Sequence, residues 1–286
     1  MLQYAVFGVI DGAFLLLATL GFALVSRVHQ FLNIAHAELM SISALLTWWF
    51  SGGLHLPIWL AALIAIIVVA VLGLGIGRVV YEPMLVRGPA IMLIVSVGVV
   101  YLIHGVTEGI VPPGIKSLPL PDLPTIYLGS VRVTVYQLII VVIAVLSFVG
   151  LHLFLSRTRV GTAVRAVSAN RELARVRGVD VERATRYVWL IASGLAGLAG
   201  VALALVSTLT TDLAFEQILL ILSVSILAGL GSIYGVALSA MIIGLTMDLS
   251  TVLVPSGYRT AVAFVVIIAV LVFRPRGLFG RKVRLV

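Results

Sequence analysis

Apolar runs of about twenty residues follow one another from one end of the chain to the other, separated by short polar breaks. At 1.5 Å rise per residue a helix needs about 20 residues to cross the hydrocarbon core of a bilayer. The pattern therefore predicts membrane helices over residues 5–25, 31–50, 54–77, 90–107, 134–155, 187–206, 217–232, 236–254 and 259–273. A barrel would show short alternating segments instead. The expected fold class is all-α: a polytopic transmembrane helical bundle, one domain over residues 1–286. Segments 90–107 and 217–232 are short and carry glycine, as re-entrant or broken helices do, so eight or nine membrane segments are expected. IMLIVSV at 91–97 matches ILLILSV at 218–224, and IWLAA at 58–62 matches VWLIA at 188–192. The paired spans would run in opposite directions, a hint of an inverted repeat.

Two connections stand out from this pattern. Residues 108–133 hold five of the ten prolines, which excludes a helix interior. The second half of that stretch, TIYLGSVRVTVY, alternates around Leu128, Gly129 and Ser130 and predicts a small β-hairpin. Residues 156–186 form the one long polar stretch, with eight arginines against Glu172, Asp180 and Glu182.

Composition supports the membrane reading, because a chain 62% hydrophobic and 10% charged is too apolar for a soluble domain. The formal charge of +8 does not indicate nucleic acid: 13 of 19 basic residues sit in the 156–186 loop and in the tail Arg274, Arg276, Arg281, Lys282 and Arg284. By the positive-inside rule those two places are cytoplasmic. The N-terminus is then outside and the C-terminus inside a bacterial-type plasma membrane. The loop 108–133, where Glu108, Lys116, Asp122 and Arg132 balance, and the turn with Asp212 and Glu216 read as external. The first apolar run lacks a basic leader and a cleavage site, and reads as a retained span. There is no Cys, hence no disulfide or cysteine metal site. With no phosphate-cradling loop, zinc signature or nucleophile triad, neither an ATPase site, a cofactor nor a metal is expected in this chain.

Four groups of residues carry candidate chemistry. Within the basic loop, Glu172, Ala174 and Gly178 follow the spacing E-x-A-x-x-x-G, which predicts a short helix to Arg177 with Gly178 just past its end. Such a loop suits either a soluble docking partner or the anionic lipid surface. Asn33, His36 and Glu38 open the second predicted span. At 100° per residue Asn33 and His36 fall within about 60° of each other while His36 and Glu38 are about 160° apart. The first two are expected as interior or subunit-facing hydrogen-bonding groups, or as polar residues at an aqueous helix end, and Glu38 as serving another contact. Asp248 and Arg259 flank the turn at Pro255 and can meet across a hairpin as a structural ion pair, or serve a pathway. Asp11 is a further candidate contact. The runs Gly194, Gly197, Gly200 and Gly229, Gly231, Gly235 permit close helix packing, or helices that slide beside a pathway.

FLNIAHAELMSISA at 31–44, RTRVGTAVRAVSANRELARVRGVDVERA at 157–184, GLAGLAGVAL at 194–203, ILAGLGSIYGVALSAMIIGL at 226–245 and FRPRGLFG at 273–280 occur in that order over nearly the whole chain. Together they resemble the permease subunits of ATP-binding-cassette importers for branched-chain amino acids, the LivH type. The resemblance implies that the basic loop couples to an ATPase, with Arg165, Asn170, Arg171, Glu172, Ala174, Gly178 and Asp180 as coupling residues. It also implies a second, LivM-like permease, two cytoplasmic LivG- and LivF-like subunits that bind the ATP, an external solute-binding protein and surrounding lipid as partners. Leucine, isoleucine or valine is the implied substrate, with urea, short amides or another small solute as alternatives. Ala37 stands where the family usually has Gly, and FEQILLILSVSI departs from the usual pattern. The rival class is an ion-coupled carrier or channel, with Asp11, Glu38 and Asp248 as ion sites.

Orientation is directly testable in a chain free of native Cys. Ser168→Cys is expected to be shielded from an impermeant thiol reagent in intact cells, whereas Ser117→Cys and Ser256→Cys react; labelling of Ser168→Cys from outside would reverse the topology.

Overall fold

A computed structural model describes residues 1–121, 124–128, 131–274 and 277–279, without the side chain of Leu128. Asp122, the hairpin turn at Gly129 and Ser130, and Arg276, Arg281, Lys282 and Arg284 of the tail lie outside the described residues.

The chain folds as helices joined by short connections: α1 Leu2–His29, α2 His36–Trp48, α3 Ile58–Ile76, the single turn α4 Glu82–Met84, and α5 Pro89–Ile110. The antiparallel hairpin β1 Thr125–Leu128 and β2 Val131–Thr134 follows, then α6 Val135–Arg157, α7 Arg159–Ala169, α8 Arg171–Val176 and α9 Val181–Ala204. The last three are α10 Leu213–Ala228, α11 Ile233–Ser250 and α12 Arg259–Phe273. Seven helical stretches among the described residues are long and apolar enough to cross a membrane, so this is an all-α, multi-pass membrane protein.

Three expectations change. The segment 90–107 is not broken: α5 runs 22 residues without interruption. Helix α10 is short, with 16 residues, as expected, whereas α2 has only 13, extended by a π turn over Trp49–Gly53, and α12 has 15, preceded by a 3-10 turn over Ser256–Tyr258. Residues 31–35, expected to be helical, are not. Phe31, Asn33 and Ala35 are nevertheless buried. Buried irregular backbone is tolerable only where protein groups satisfy it. Here the Ile34 N–H meets Ser96 Oγ at 3.4 Å, and Ser96 donates toward Leu32 O at 3.3 Å and Leu93 O at 2.8 Å.

The hairpin forms as predicted, in the register Thr125↔Thr134 to Leu128↔Val131. Val131 and Val133 are buried against Ile10 of α1, and Thr134 with Gln137 then forms a capping box that starts α6.

Helix α1 is the centre of the bundle, with Leu15 through Val25 all buried. It is apolar on every side, as a helix surrounded by other helices must be. Small residues set how near its neighbours come. A Cβ on Gly8 would stand 2.7 Å from Leu245 Cα, and one on Gly244 would run into the backbone of Gly8 and Gly12. Between α9 and its neighbours, Gly200 abuts the Met40 carbonyl and Gly197 lies against Ile66, while Gly73 and Gly77 of the α3 region receive Ser193 and Trp189. The glycine run in α9 is therefore a packing surface. Outward faces of α3, α5, α6 and α12 keep Ile67, Ile94, Leu146 and Ile268 exposed, as lipid or a second membrane subunit requires.

Replacing Gly244 with Val should cost on the order of 1–3 kcal/mol by overpacking, read as a lower thermal midpoint in detergent. Gly98→Ala, where nothing lies within 4 Å of the added carbon, should leave the midpoint unchanged or slightly raised.

Candidate functional site

The basic loop is shaped residue by residue. Thr158 caps α7 by accepting from Gly161 N–H at 2.9 Å, and Arg165 reaches back to the Leu155 carbonyl at 2.5 Å, tying α7 to the end of α6. Asn170 ends α7 and caps α8 by accepting from Leu173 N–H at 2.9 Å. After α8 the Gly178 N–H donates to Arg175 O and the Val179 N–H to Ala174 O, both at 3.0 Å. These two bonds make a Schellman motif. It places Gly178 at φ 78°, a conformation L side chains rarely adopt. Asp180 then caps α9 through Arg183 N–H at 2.9 Å.

The seven loop candidates thus divide. Arg165, Asn170, Gly178 and Asp180 set the path of the chain, and Ala174 is the one buried residue of α8. Glu172 is exposed, together with Leu173 and Val176, at 53% and 83%. Two large apolar side chains on so polar a loop form a small knob suited to a partner surface. Arg171 is half-buried, and burial first, then the neighbouring Arg175, lowers its pKa while Glu82 opposes the shift.

Beside this knob lies a cleft of about 1470 Å³, walled by Arg171, Glu172 and Arg175, by Arg27 and His29 at the end of α1, and by the turn from Gly229 to Ser232. An aromatic layer adjoins it. His29 stacks on Trp189 with centroids 4.8 Å apart, and Tyr81 stacks on the same indole at 5.1 Å. The Tyr81 hydroxyl donates to Asn33 Oδ1 at 2.9 Å. Tyr81, His29 and Trp189 were not among the sequence candidates, because single aromatics in an apolar chain carry no pattern.

Asn33, His36 and Glu38 are all interior, at 2% exposure or less. Asn33 precedes the helix, so the helical angle to His36 does not apply to it. His36 donates through Nε2 to Ala18 O of α1 at 3.1 Å, while Glu38 points away, its Oε1 lying 3.6 Å from His104 Nδ1 on α5. The three residues therefore serve three different contacts. Asp248 and Arg259 do meet across the hairpin, at 3.6 Å, and Arg259 also hydrogen-bonds Asp11 of α1. One cation thus faces two carboxylates from three helices, and Asp248 is buried among them.

The chain is thus a multi-pass membrane bundle with a capped polar loop at one end and polar groups held in its interior. The family model described as the permease component of the branched-chain amino acid transport system matches residues 4–271. The chain belongs to that family, which comprises permeases of ABC transporters. It is 26% identical over 299 residues to the high-affinity branched-chain amino acid transport system permease protein LivH of Salmonella typhimurium, covering 98% of this chain and 96% of the relative. With BraD of Pseudomonas aeruginosa, which carries the same description, identity is 27% over 294 residues at the same coverage. A probable branched-chain amino acid transport permease protein LivH of Methanocaldococcus jannaschii is 31% identical over 145 residues, 48% of this chain and 46% of the relative. No solved structure matches the chain.

The three-helix ion cluster makes a quantitative expectation. Arg259→Gln should be the most damaging single change, since it leaves Asp11 and Asp248 facing each other without a cation. Because Arg259 and Asp11 are partly exposed, the loss should be about 1–2 kcal/mol, seen as reduced folded protein and a lower thermal midpoint. Combining it with Asp248→Asn should cost less than the sum of the two. Strict additivity, or lost transport at normal abundance, would point to a pathway role.

Proposed function

We propose that this chain is one of two permease subunits of an ATP-driven importer that carries branched-chain amino acids inward across a bacterial-type plasma membrane. Its partner permease is of the LivM type, two cytoplasmic ATP-binding subunits of the LivG and LivF type supply the energy, and an external binding protein delivers the solute. Leucine, isoleucine and valine are the substrates that the names of the full-length relatives support. The ATP sites belong to the partners, and this chain carries no cofactor for the transport step. In this reading the basic loop and the C-terminus are cytoplasmic and the N-terminus is external.

The observation that carries the coupling half of the proposal is the shape of the loop. Caps at Thr158, Asn170 and Asp180 and the Schellman turn at Gly178 make 158–180 a rigid projection. Its exposed Glu172, Leu173 and Val176 are offered to an ATPase, as an amphipathic knob fits a groove. Movement of the ATPases would pass through α7 into α6 and α9, which the knob joins.

Deleting the subunit should abolish high-affinity, ATP-dependent uptake of leucine, isoleucine or valine, and restoration should require the binding protein and ATPases as well. Gly178→Val, which forces a β-branched residue into a left-handed turn, and Glu172→Lys should each leave the protein in the membrane but reduce co-purification of the ATPases and uptake together. Sodium- or proton-driven accumulation by the purified chain alone would overturn the importer reading. ATP-driven uptake of urea without leucine would overturn only the substrate.

A further inference from the structure

At the end of the bundle opposite the basic loop, three segments far apart in sequence converge on one imidazole. His104 sits on α5 with its side chain 12% exposed. Its Nε2 lies 3.6 Å from Glu108 Oε1, one helical turn further along α5, and 3.8 Å from Asp212 Oδ1 where α10 begins. Its Nδ1 lies 3.6 Å from Oε1 of the buried Glu38. Both Glu38 Oε1 and His104 Nδ1 are buried and neither has a hydrogen-bond partner among the described residues. Phe215 packs edge-on against the ring at 5.0 Å and restrains it further.

Two features separate this cluster from a chance meeting of surface acids. Asp212 occupies the N-cap position of α10, where an Asp ordinarily accepts from the first backbone N–H groups. It makes no capping bond and faces the imidazole instead. Behind the ring, a buried carboxylate faces the nitrogen not used by the exposed pair. A metal-ligating histidine commonly gives its second N–H to a carboxylate, which settles the tautomer and makes the free nitrogen a better donor. Glu38 Oε1, 3.6 Å away and without another hydrogen-bond partner among the described residues, is the group placed to take it after a small approach.

We propose that His104 Nε2, Glu108 and Asp212 form a three-ligand site for a divalent transition-metal ion of the zinc type, with Glu38 positioning the imidazole from behind. One imidazole nitrogen and two carboxylate oxygens are ligands that Zn²⁺ accepts, with a fourth place left to water. The candidate donor atoms all lie within 4.8 Å of one another. Around a tetrahedral zinc with bonds of roughly 2.0–2.2 Å, donors stand roughly 3.3–3.5 Å apart. Closure therefore needs only small rotations of Glu108 and Asp212, whose side chains are 56% and 71% exposed and free to make them. Among the described residues neither carboxylate pairs with an Arg or Lys. The bound ion tethers α5 to the start of α10 and stiffens that mouth of the bundle. Glu38, read from the sequence as serving another contact, is thereby the positioning residue of the site.

The test uses the full-length, tag-free chain purified in detergent, with Zn²⁺ binding followed by calorimetry and Co²⁺ binding by its visible absorption. The expected result is one equivalent bound, with a tetrahedral Co²⁺ spectrum and a higher thermal midpoint in metal. Asp212→Asn and His104→Ala should abolish binding, and Glu38→Gln should weaken it by about 10–100-fold. Glu216→Gln, outside the cluster, should bind as the parent does. Should His104→Ala fail to fold, Asp212→Asn, an exposed change, decides alone. Absence of stoichiometric binding to the parent, or equal binding by Asp212→Asn, overturns the proposal. The assay needs no partner subunit or transported solute, so its outcome is independent of the importer reading.

Discussion

Close approach of helix backbones around α1 is the constraint on which the rest of this structure depends. Inside a bilayer the hydrophobic effect gives helices no reason to associate, because lipid tails are as apolar as leucine. Association must come from packing at short range and from polar contacts. Gly8, Gly12 and Gly244 let α1 and α11 meet at backbone distance, and Gly21 does the same where α1 passes Ala192 of α9. Once α1 is held on both sides, its few polar contacts acquire fixed partners: Ala18 O for His36 and Arg259 for Asp11.

That central packing also explains why polar residues can be placed deep in the bundle. Residues 31–35 leave the helical path; Ser96 meets the freed Ile34 N–H and Leu32 carbonyl, and Tyr81 donates to the Asn33 side chain. The unwound stretch lies between the aromatic layer of His29, Trp189 and Tyr81 and the start of α2. Interrupted helices with satisfied backbone are the places where transporters hold polar solutes within the membrane. Two short helices, α2 and α10, pack against each other in the same region.

The two ends of the bundle are built on opposite principles. At one end, the basic loop is a chain of local capping interactions that hold α8 rigid while leaving its large apolar residues uncovered. At the other, His104 gathers carboxylates from α2, α5 and the start of α10. Positive charge at one end and negative at the other give the bundle an electrostatic polarity along its axis.

The sequence by itself determined the class of fold, nearly all of the apolar segments, the hairpin and the glycine that ends α8 in the basic loop. Each of these follows from local rules: length against bilayer thickness, alternation, and the turn chemistry of Gly178. The N-caps by Thr158, Asn170 and Asp180 came only from the structure. The pairing of Asp248 with Arg259 was also legible, because a short turn brings the two together. What lies beyond a helix's own neighbourhood was not. Asp11 joining that pair, Tyr81 serving Asn33 and the unwinding of 31–35 all depend on which helix lies beside which. His104, Glu108 and Asp212 carry no joint signature, since one comes from another segment and the other two share a spacing common on any helix. Only the packing of α2, α5 and the start of α10 brings Asp212 and Glu38 into reach of His104.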